Sequence, residues 1–364
     1  MGIGKNGFYT LDDLDKYKAK IKWIYSNRND GKSYAVKMRC VEKAFKEKKP
    51  LFALIRRNAV DVKPSKVERY FIERDEKNNV IKIASKGEYD HVICKNNYIF
   101  PAKYVEGKEE KAKFAIGEYY DIATAYHEKS TGHVCKYIIA EEMLTEGVYL
   151  RDEPDKFMQL VSTLIRSDDS DITIYMIGNN INRFCPYFKE WSMMGVFQQK
   201  IGTIEVYHYK QLDGTIVDIA CEFAPQRKNK KSTLFIGKSE KSIQGGDWLT
   251  FEYPKLYKKF EEFELIDMIT YSSTYGEKYT IALIYDEETN GKYCYVYPAK
   301  HICDRVLTTE FSKNPFHTPC LNINRGLDKW VHDCYINNKF MYSDNLTGTD
   351  FNNALKSEKK NPLL

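Results

Sequence analysis

The stretch that most constrains this chain is residues 21–40, IKWIYSNRNDGKSYAVKMRC. Ile21, Trp23, Ile24 and Tyr25 form an apolar run that reads as a short buried strand. A polar loop follows, Ser26-Asn27-Arg28-Asn29-Asp30, and Gly31-Lys32-Ser33 then opens a segment with helical spacing at Tyr34, Val36, Lys37 and Cys40. Strand, loop, Gly-Lys-Ser and helix together give the layout of a phosphate-binding loop.

The chemistry accounts for the residue types. Backbone N–H groups of such a loop and of the helix start, residues Asn27, Arg28, Asn29, Asp30, Gly31, Lys32, Ser33 and Tyr34, face phosphate oxygens, and the helix dipole adds positive potential there. Lys32 is placed to reach the β- and γ-phosphates, and the Ser33 hydroxyl to ligate Mg²⁺. The usual pattern begins with a glycine, and here that position is Ser26.

Further buried strands are expected at residues 51–55 (LFALI), 137–140 (YIIA) and 172–177 (ITIYMI), with helices at 32–48 and 155–166. A short helix is expected at 11–20, a basic loop at 58–69, and short strands or a hairpin at 77–100. Alternating strands and helices imply an α/β domain with a mainly parallel sheet, whose ligands sit beyond the carboxyl ends of the strands. Each candidate group follows such an end: the Gly-Lys-Ser loop, Arg56-Arg57, Glu141-Glu142, and Asn179.

At the third of these ends one carboxylate, Glu141, would hold a metal's hydration shell, and the next, Glu142, would polarise an attacking water. Glu141 stands where an Asp is usual. Arg166 closes an amphipathic helix and reads as an arginine finger, a cation for the γ-phosphate in the transition state. Arg56, Arg57, Lys63 and Lys66 make a patch suited to tracking a nucleic-acid backbone, and Arg227, Lys228, Lys230 and Lys231 make another. The histidines have no ligand spacing, so no metal beyond Mg²⁺ is assigned.

The 364 residues exceed one small core, and two domains are expected. A positive excess of five charges is a mild sign of a polyanionic partner. Residues 251–364 carry 14 Lys and Arg against 16 Asp and Glu, so that excess lies in the first two-thirds. Nine scattered cysteines with no C-x-x-C pair fit reduced thiols in a cytosolic compartment. No apolar run is long enough to span a membrane, no signal peptide is evident, and Asn6 departs from a myristoylation start.

Asp213-Gly214 marks a hairpin, and the basic, breaker-rich PQRKNKK at 225–231 marks a boundary. The expected division is 1–220, a linker at 221–250, and 251–364. Strands are expected near 263–271, 279–285 and 292–297, and residues 356–364 as a frayed tail. Glu264 and Asp267, at odd spacing, are expected on opposite faces of the first of these strands.

Taken together the motifs resemble the genome-packaging (encapsidation) ATPases of the small protein-primed podophages, the Salasmaviridae, viral motors related to terminase large subunits. The resemblance is carried by Arg28 with Gly31-Lys32-Ser33-Tyr34-Ala35, Arg56-Arg57, Glu128-Lys129-Ser130, Glu141-Glu142, residues 164–166, Asn179, and Pro186-Tyr187-Phe188. It covers about residues 21–188, with a weaker echo at Phe235-Ile236-Gly237. It implies an additional-strand (ASCE) P-loop ATPase domain followed by a smaller RNase H-like α+β domain without nuclease function. It also implies ATP and Mg²⁺, and translocation of double-stranded DNA by a homopentameric ring. That ring would dock at the portal of a prohead in the host cytoplasm, on a phage structural RNA. By the same resemblance Arg28 is a Walker A arginine, and Arg166 and Lys129 act on a neighbouring subunit's site. A helicase or DNA-segregating ATPase, and a nucleotide-binding structural protein without turnover, are the alternatives.

Overall fold

The computed structural model describes residues 8–27, 30–73, 76–125, 135–145, 149–165, 171–179, 184–225, 252–274, 276–358 and 360–364. The chain divides into two units, residues 1–231 and 232–364. Among the described residues no helix is long and apolar enough to cross a membrane. All nine cysteines are unbridged.

The first unit carries β1 (Ile21–Ser26), α1 (Lys32–Glu47), β2 (Phe52–Arg56), α2 (Pro64–Tyr70), α3 (Val80–Ala84), β3 (His91–Lys95), β4 (Tyr98–Val105), β5 (Lys108–Lys111) and β6 (Gly117–Asp121). It continues with α4 (Ile122–Ala125), β7 (Tyr137–Ala140), α5 (Glu153–Ile165), β8 (Thr173–Asn179), α6 (Pro186–Glu190), β9 (Thr203–Lys210) and β10 (Ile216–Phe223). These strands form one sheet in the order β3-β4-β6-β2-β7-β8-β1-β10-β9, with β5 paired to β4. From β6 to β10 every neighbouring pair is parallel.

Parallel strands need cover on both faces, and β1 is buried at all six positions. Alternate residues point to opposite layers. Ile24 joins a core with Val36, Cys40, Val41 and Ala44 of α1, residues spaced to share one helical face. Trp23 points the other way, 4.9 Å from the Phe188 ring of α6 and 5.7 Å from that of Tyr187. Phe157, Leu160, Val161 and Leu164 of α5 are buried at the expected spacing.

Several local expectations give way. The segment 11–20 holds a 3-10 turn, Leu14–Lys16, rather than a helix. The basic loop contains α2, opened by Pro64 at its first position, where a missing N–H costs nothing. Residues expected as strand near Val80 form α3, because the Asn79 side chain accepts from the N–H groups of Ile81 and Lys82. The β3–β4 hairpin does form, with Asn96 and Asn97 both left-handed, φ 50° and 61°.

The second unit has β11 (Glu264–Ser272), β12 (Lys278–Asp286), β13 (Gly291–Pro298), β14 (Val306–Leu307), β15 (His317–Thr318), α7 (Gly326–Ile336), β16 (Phe340–Tyr342) and α8 (Asn345–Ser357). Its sheet order is β15-β14-β11-β12-β13-β16. The β11–β12–β13 meander is antiparallel, and β14 and β15 add parallel to β11. That strand order is RNase H-like, with β16 appended.

Two readings of this unit are corrected. A register shift between Leu265 and Asp267 pairs Glu264 with Tyr285 and Asp267 with Leu283. Tyr285 and Leu283 are two apart, so Glu264 and Asp267 share a face; the bulge supplies the missing residue of the alternation. The end of the chain is docked, not frayed: Leu363 is fully buried, and the Leu321 N–H donates to the Pro362 carbonyl at 3.0 Å.

The N-terminal segment is fastened to the first sheet. The Tyr9 N–H donates to the Asp30 carbonyl at 3.0 Å, and the Tyr9 hydroxyl to Glu222 Oε2 at 2.6 Å. Burial pushes the Glu222 carboxyl up to about 7 from its ordinary 4.5, against the opposing pull of the Tyr9 hydroxyl. Between those two values the folded chain holds a proton that the unfolded chain has released. The folded state binds more protons, so stability falls as pH rises through the window and is fully present below it. Glu222→Gln removes the titration. Its melting temperature is expected to fall less than the wild type's between about pH 4.5 and pH 7, the full effect being about 3 kcal/mol; equal slopes would refute the assignment.

Candidate phosphate-binding site

The loop after β1 turns through Gly31, which caps α1 at φ +97°. A Cβ there would lie 3.1 Å from the Phe8 ring, so both conformation and space call for glycine. The Lys32 ammonium is buried and folded back into the loop, donating to the Asn27 carbonyl at 2.7 Å and to Ser26 Oγ at 2.9 Å. The Ser26 hydroxyl in turn donates to Asp30 Oδ2 at 2.9 Å. The serine that replaces the usual glycine therefore links the lysine to a buried carboxylate. Side chains of Asn27 and Asp30 are buried and Tyr34 packs against the core, which leaves backbone groups as their means of meeting a phosphate.

Parallel register brings the other strand ends alongside. Ser26 pairs with Asn179, and Ala140 pairs with both Ile55 and Met176. A cavity of about 600 Å³ opens over these ends. Ser33, Lys37, Arg56, Tyr70, Glu141, Glu142 and Asn179 are among the residues lining it.

Glu141 is buried and accepts the Tyr70 hydroxyl at 2.7 Å. Burial first, and then the charge of Glu141, push the Tyr70 phenol well up, so it stays a proton donor. The Tyr70 ring also lies 4.6 Å from the Lys37 ammonium and 5.4 Å from the Arg56 guanidinium. Sequence reasoning missed Tyr70, which belongs to no motif and directly follows the stretch read as a basic loop.

Glu142 follows in a left-handed conformation, φ +58°, with its side chain largely exposed and Oε2 at 3.3 Å from Arg56 Nη1. The Ser33 hydroxyl and the two carboxylates are hard oxygen donors, a set that suits Mg²⁺. Among the described residues no cluster of three or more His, Cys, Asp or Glu could hold a metal alone. Ser33 and Glu141 would thus share such an ion with phosphate oxygens and water.

The basic patch divides. Arg57 is turned inward rather than out: it is 8% exposed, and its guanidinium donates to Glu153 at 2.8 Å and to the carbonyls of Glu142 and Met143, which runs against its expected place in a backbone-tracking patch. Arg56 turns into the cavity toward Glu142. Lys63 and Lys66 face solvent, Lys66 at 3.0 Å from Asp61. Arg28, Asn29, Lys129 and Arg166 lie outside the described residues, as do residues 226–251 with the second basic run.

In the second unit Asp286 is fully buried and held by Lys258, Tyr257 and Thr289, which keep its carboxyl well below the usual range. Asp267 and Asp328 both pair with Arg305.

In the first unit β8 lies between the strand of the phosphate loop and the strand of the carboxylates. With β10 parallel on the outer side of β1, that is the fold of the additional-strand P-loop ATPases, here followed by a second sheet-bearing unit. No protein-family model matches the sequence, and no curated protein matches it. Among solved structures, a chain of the bacteriophage Phi-29 viral genome packaging motor assembly is similar over 95% of this chain and 99% of its own, at 16% identity and a TM-score of 0.51. The Phi-28 gp11 DNA packaging motor is similar over 97% and 99%, at 16% identity and a TM-score of 0.49. The N-terminal domain of the DNA packaging ATPase from bacteriophage phi29 is similar over 62% and 99%, at 18% identity and a TM-score of 0.45. At such identities the Phi-29 assembly chain establishes a shared fold.

Tyr70→Phe keeps the ring between the two cations and removes the donor to Glu141. A buried carboxylate that loses one hydrogen bond is expected to cost about 1–3 kcal/mol. Thermal melting at neutral pH checks this, and a wild-type melting temperature would show that Glu141 does not depend on Tyr70.

Proposed function

We propose that this chain is the ATPase of a phage DNA-packaging motor, driving double-stranded DNA into a prohead by ATP hydrolysis. The observation that carries the reading is the convergence of Ser33, Glu141, Glu142 and Asn179 on one cavity, beside the loop that holds Lys32. It occurs on a fold shared with a chain of the Phi-29 packaging motor assembly. In this reading the loop amides and Lys32 hold the triphosphate, and Lys32 exchanges its loop carbonyls for phosphate oxygens. Ser33 and Glu141 hold Mg²⁺, Asn179 meets the nucleotide, and Glu142 orients the attacking water.

The resemblance supplies the rest of the proposal. The chain works as a homopentameric ring at the portal, seated on a structural RNA in the host cytoplasm. Arg28 assists the phosphate loop, and Arg166 and Lys129 reach the site of the next subunit. The second unit is not proposed as a nuclease: Asp286 is enclosed by its own lysine, tyrosine and threonine, and Asp267 and Asp328 share pairing with Arg305.

The test is ATP turnover with and without double-stranded DNA. Wild-type chain is expected to hydrolyse ATP faster with DNA, and Lys32→Ala to lose turnover at a temperature where it remains folded, although with a lower melting temperature because Asn27 and Ser26 lose a buried donor. A soluble Lys32→Ala protein with wild-type ATPase would sink the phosphate-loop assignment.

Lys63 and Lys66 are proposed to touch the DNA backbone. The Lys66–Asp61 pair is exposed and worth about 1 kcal/mol or less, so it does not prevent this. Replacing both lysines by alanine should flatten the log–log salt dependence of DNA-stimulated ATPase by about 0.9 per lost contact. An unchanged slope moves the DNA path elsewhere.

A further inference from the structure

Glu142 leaves β7 at φ +58°, a conformation that a non-glycine residue keeps only where its surroundings hold it. The Glu141 and Met143 N–H groups donate to the carbonyls of Ile55 and Ile177 at 3.0 and 2.9 Å, and the side chain that holds this turn is Arg57. Its Nη1 donates to the Glu142 carbonyl at 3.1 Å, its Nη2 to the Met143 carbonyl at 3.0 Å, and its Nε to Glu153 Oε2 at 2.8 Å. Glu153 has no exposed surface and also accepts the Leu150 N–H at 2.8 Å and the Tyr187 hydroxyl at 3.2 Å. The Tyr149 ring centre lies 4.8 Å from the guanidinium. The first turn of α5, α6 and the end of β2 are thereby tied to the two carbonyls that follow the carboxylate strand.

We infer that Arg57 is a positioning residue for Glu142, fixing the direction in which its carboxylate leaves the strand. The inference rests on Glu142 being the group that orients the attacking water. Three donors of one rigid plane are used at once, two on consecutive carbonyls and one on a buried acid. A lysine ammonium is a point charge on a flexible stem and does not reproduce that plane. A small misplacement of a water-orienting group lowers turnover without loosening the nucleotide, because the triphosphate is held by a different strand end.

The test uses the full-length chain, well below its melting temperature. Arg57→Lys is expected to lower kcat by roughly 10- to 100-fold while the ATP dissociation constant stays within about twofold. The same substitution in Glu142→Gln is expected to cause no further loss in single-turnover hydrolysis, because both changes remove one function. A residue that only stabilised the fold would lower the melting temperature and leave kcat per nucleotide site unchanged. Unchanged kcat overturns the inference, and so does an equal fold-loss in the two backgrounds. If Arg57→Lys does not fold, Glu153→Gln goes through the same comparison, since it loosens the brace while keeping size and an acceptor oxygen. If Glu142→Gln alone turns over like wild type, the reading of Glu142 fails and the inference with it, and the fault is located there.

Discussion

The site depends on four parallel strands whose register brings their carboxyl ends side by side, staggered by no more than three residues. Neighbouring strands lie about 4.8 Å apart, so β1, β8, β7 and β2 place their ends within about 15 Å of one another. The inserted β8 puts two strand spacings, about 10 Å, between the phosphate loop and Glu141-Glu142. That gap has room for a phosphate, a metal and a water. Burial of both faces fixes the register, since a slip by one residue would exchange Trp23 and Ile24 between two different cores.

Among the described residues, several charges around this frame have local partners. Lys32 is tied through Ser26 to Asp30, Glu141 to Tyr70, and Arg57 to Glu153. Burying such pairs brings little net stability, because desolvation offsets the attraction. Their effect is geometric: each removes a direction in which a side chain at a strand end could otherwise turn. Ser26 shows this well, since a residue that departs from the usual loop pattern supplies a hydroxyl between an ammonium and a carboxylate.

Much of the first unit was legible because its elements follow local rules. The strands at 51–55, 137–140 and 172–177 and the faces of α1 and α5 come from periodicity, and the groups at the strand ends follow from parallel topology. What was not legible depends on partners distant in sequence. Nothing near Arg57 announces that Glu153, 96 residues on, will draw it inward. Tyr70 acquires its role only when α2 brings it against Glu141, 71 residues away. The bulge after Leu265 likewise reverses a face assignment that strict alternation makes. The docked chain end needs a cradle that only the folded unit provides.

Arg56 and Arg57 show how adjacent residues at one strand end divide the work. Both residues border the cavity, but Arg56 turns to the Glu142 carboxylate and the Arg57 guanidinium turns inward to Glu153. Both reach Glu142, one at its carboxylate and the other at its carbonyl. The two contacts differ in strength. The Arg56–Glu142 pair is 3.3 Å long with the glutamate side chain 62% exposed, a pair worth about 1 kcal/mol or less. Removing a partner from a buried pair such as Arg57–Glu153 costs about 3–5 kcal/mol. The carboxylate of Glu142 can therefore exchange partners at less cost than its backbone can. The contacts thus hold the backbone at this strand end more firmly than the carboxylate proposed to meet the water.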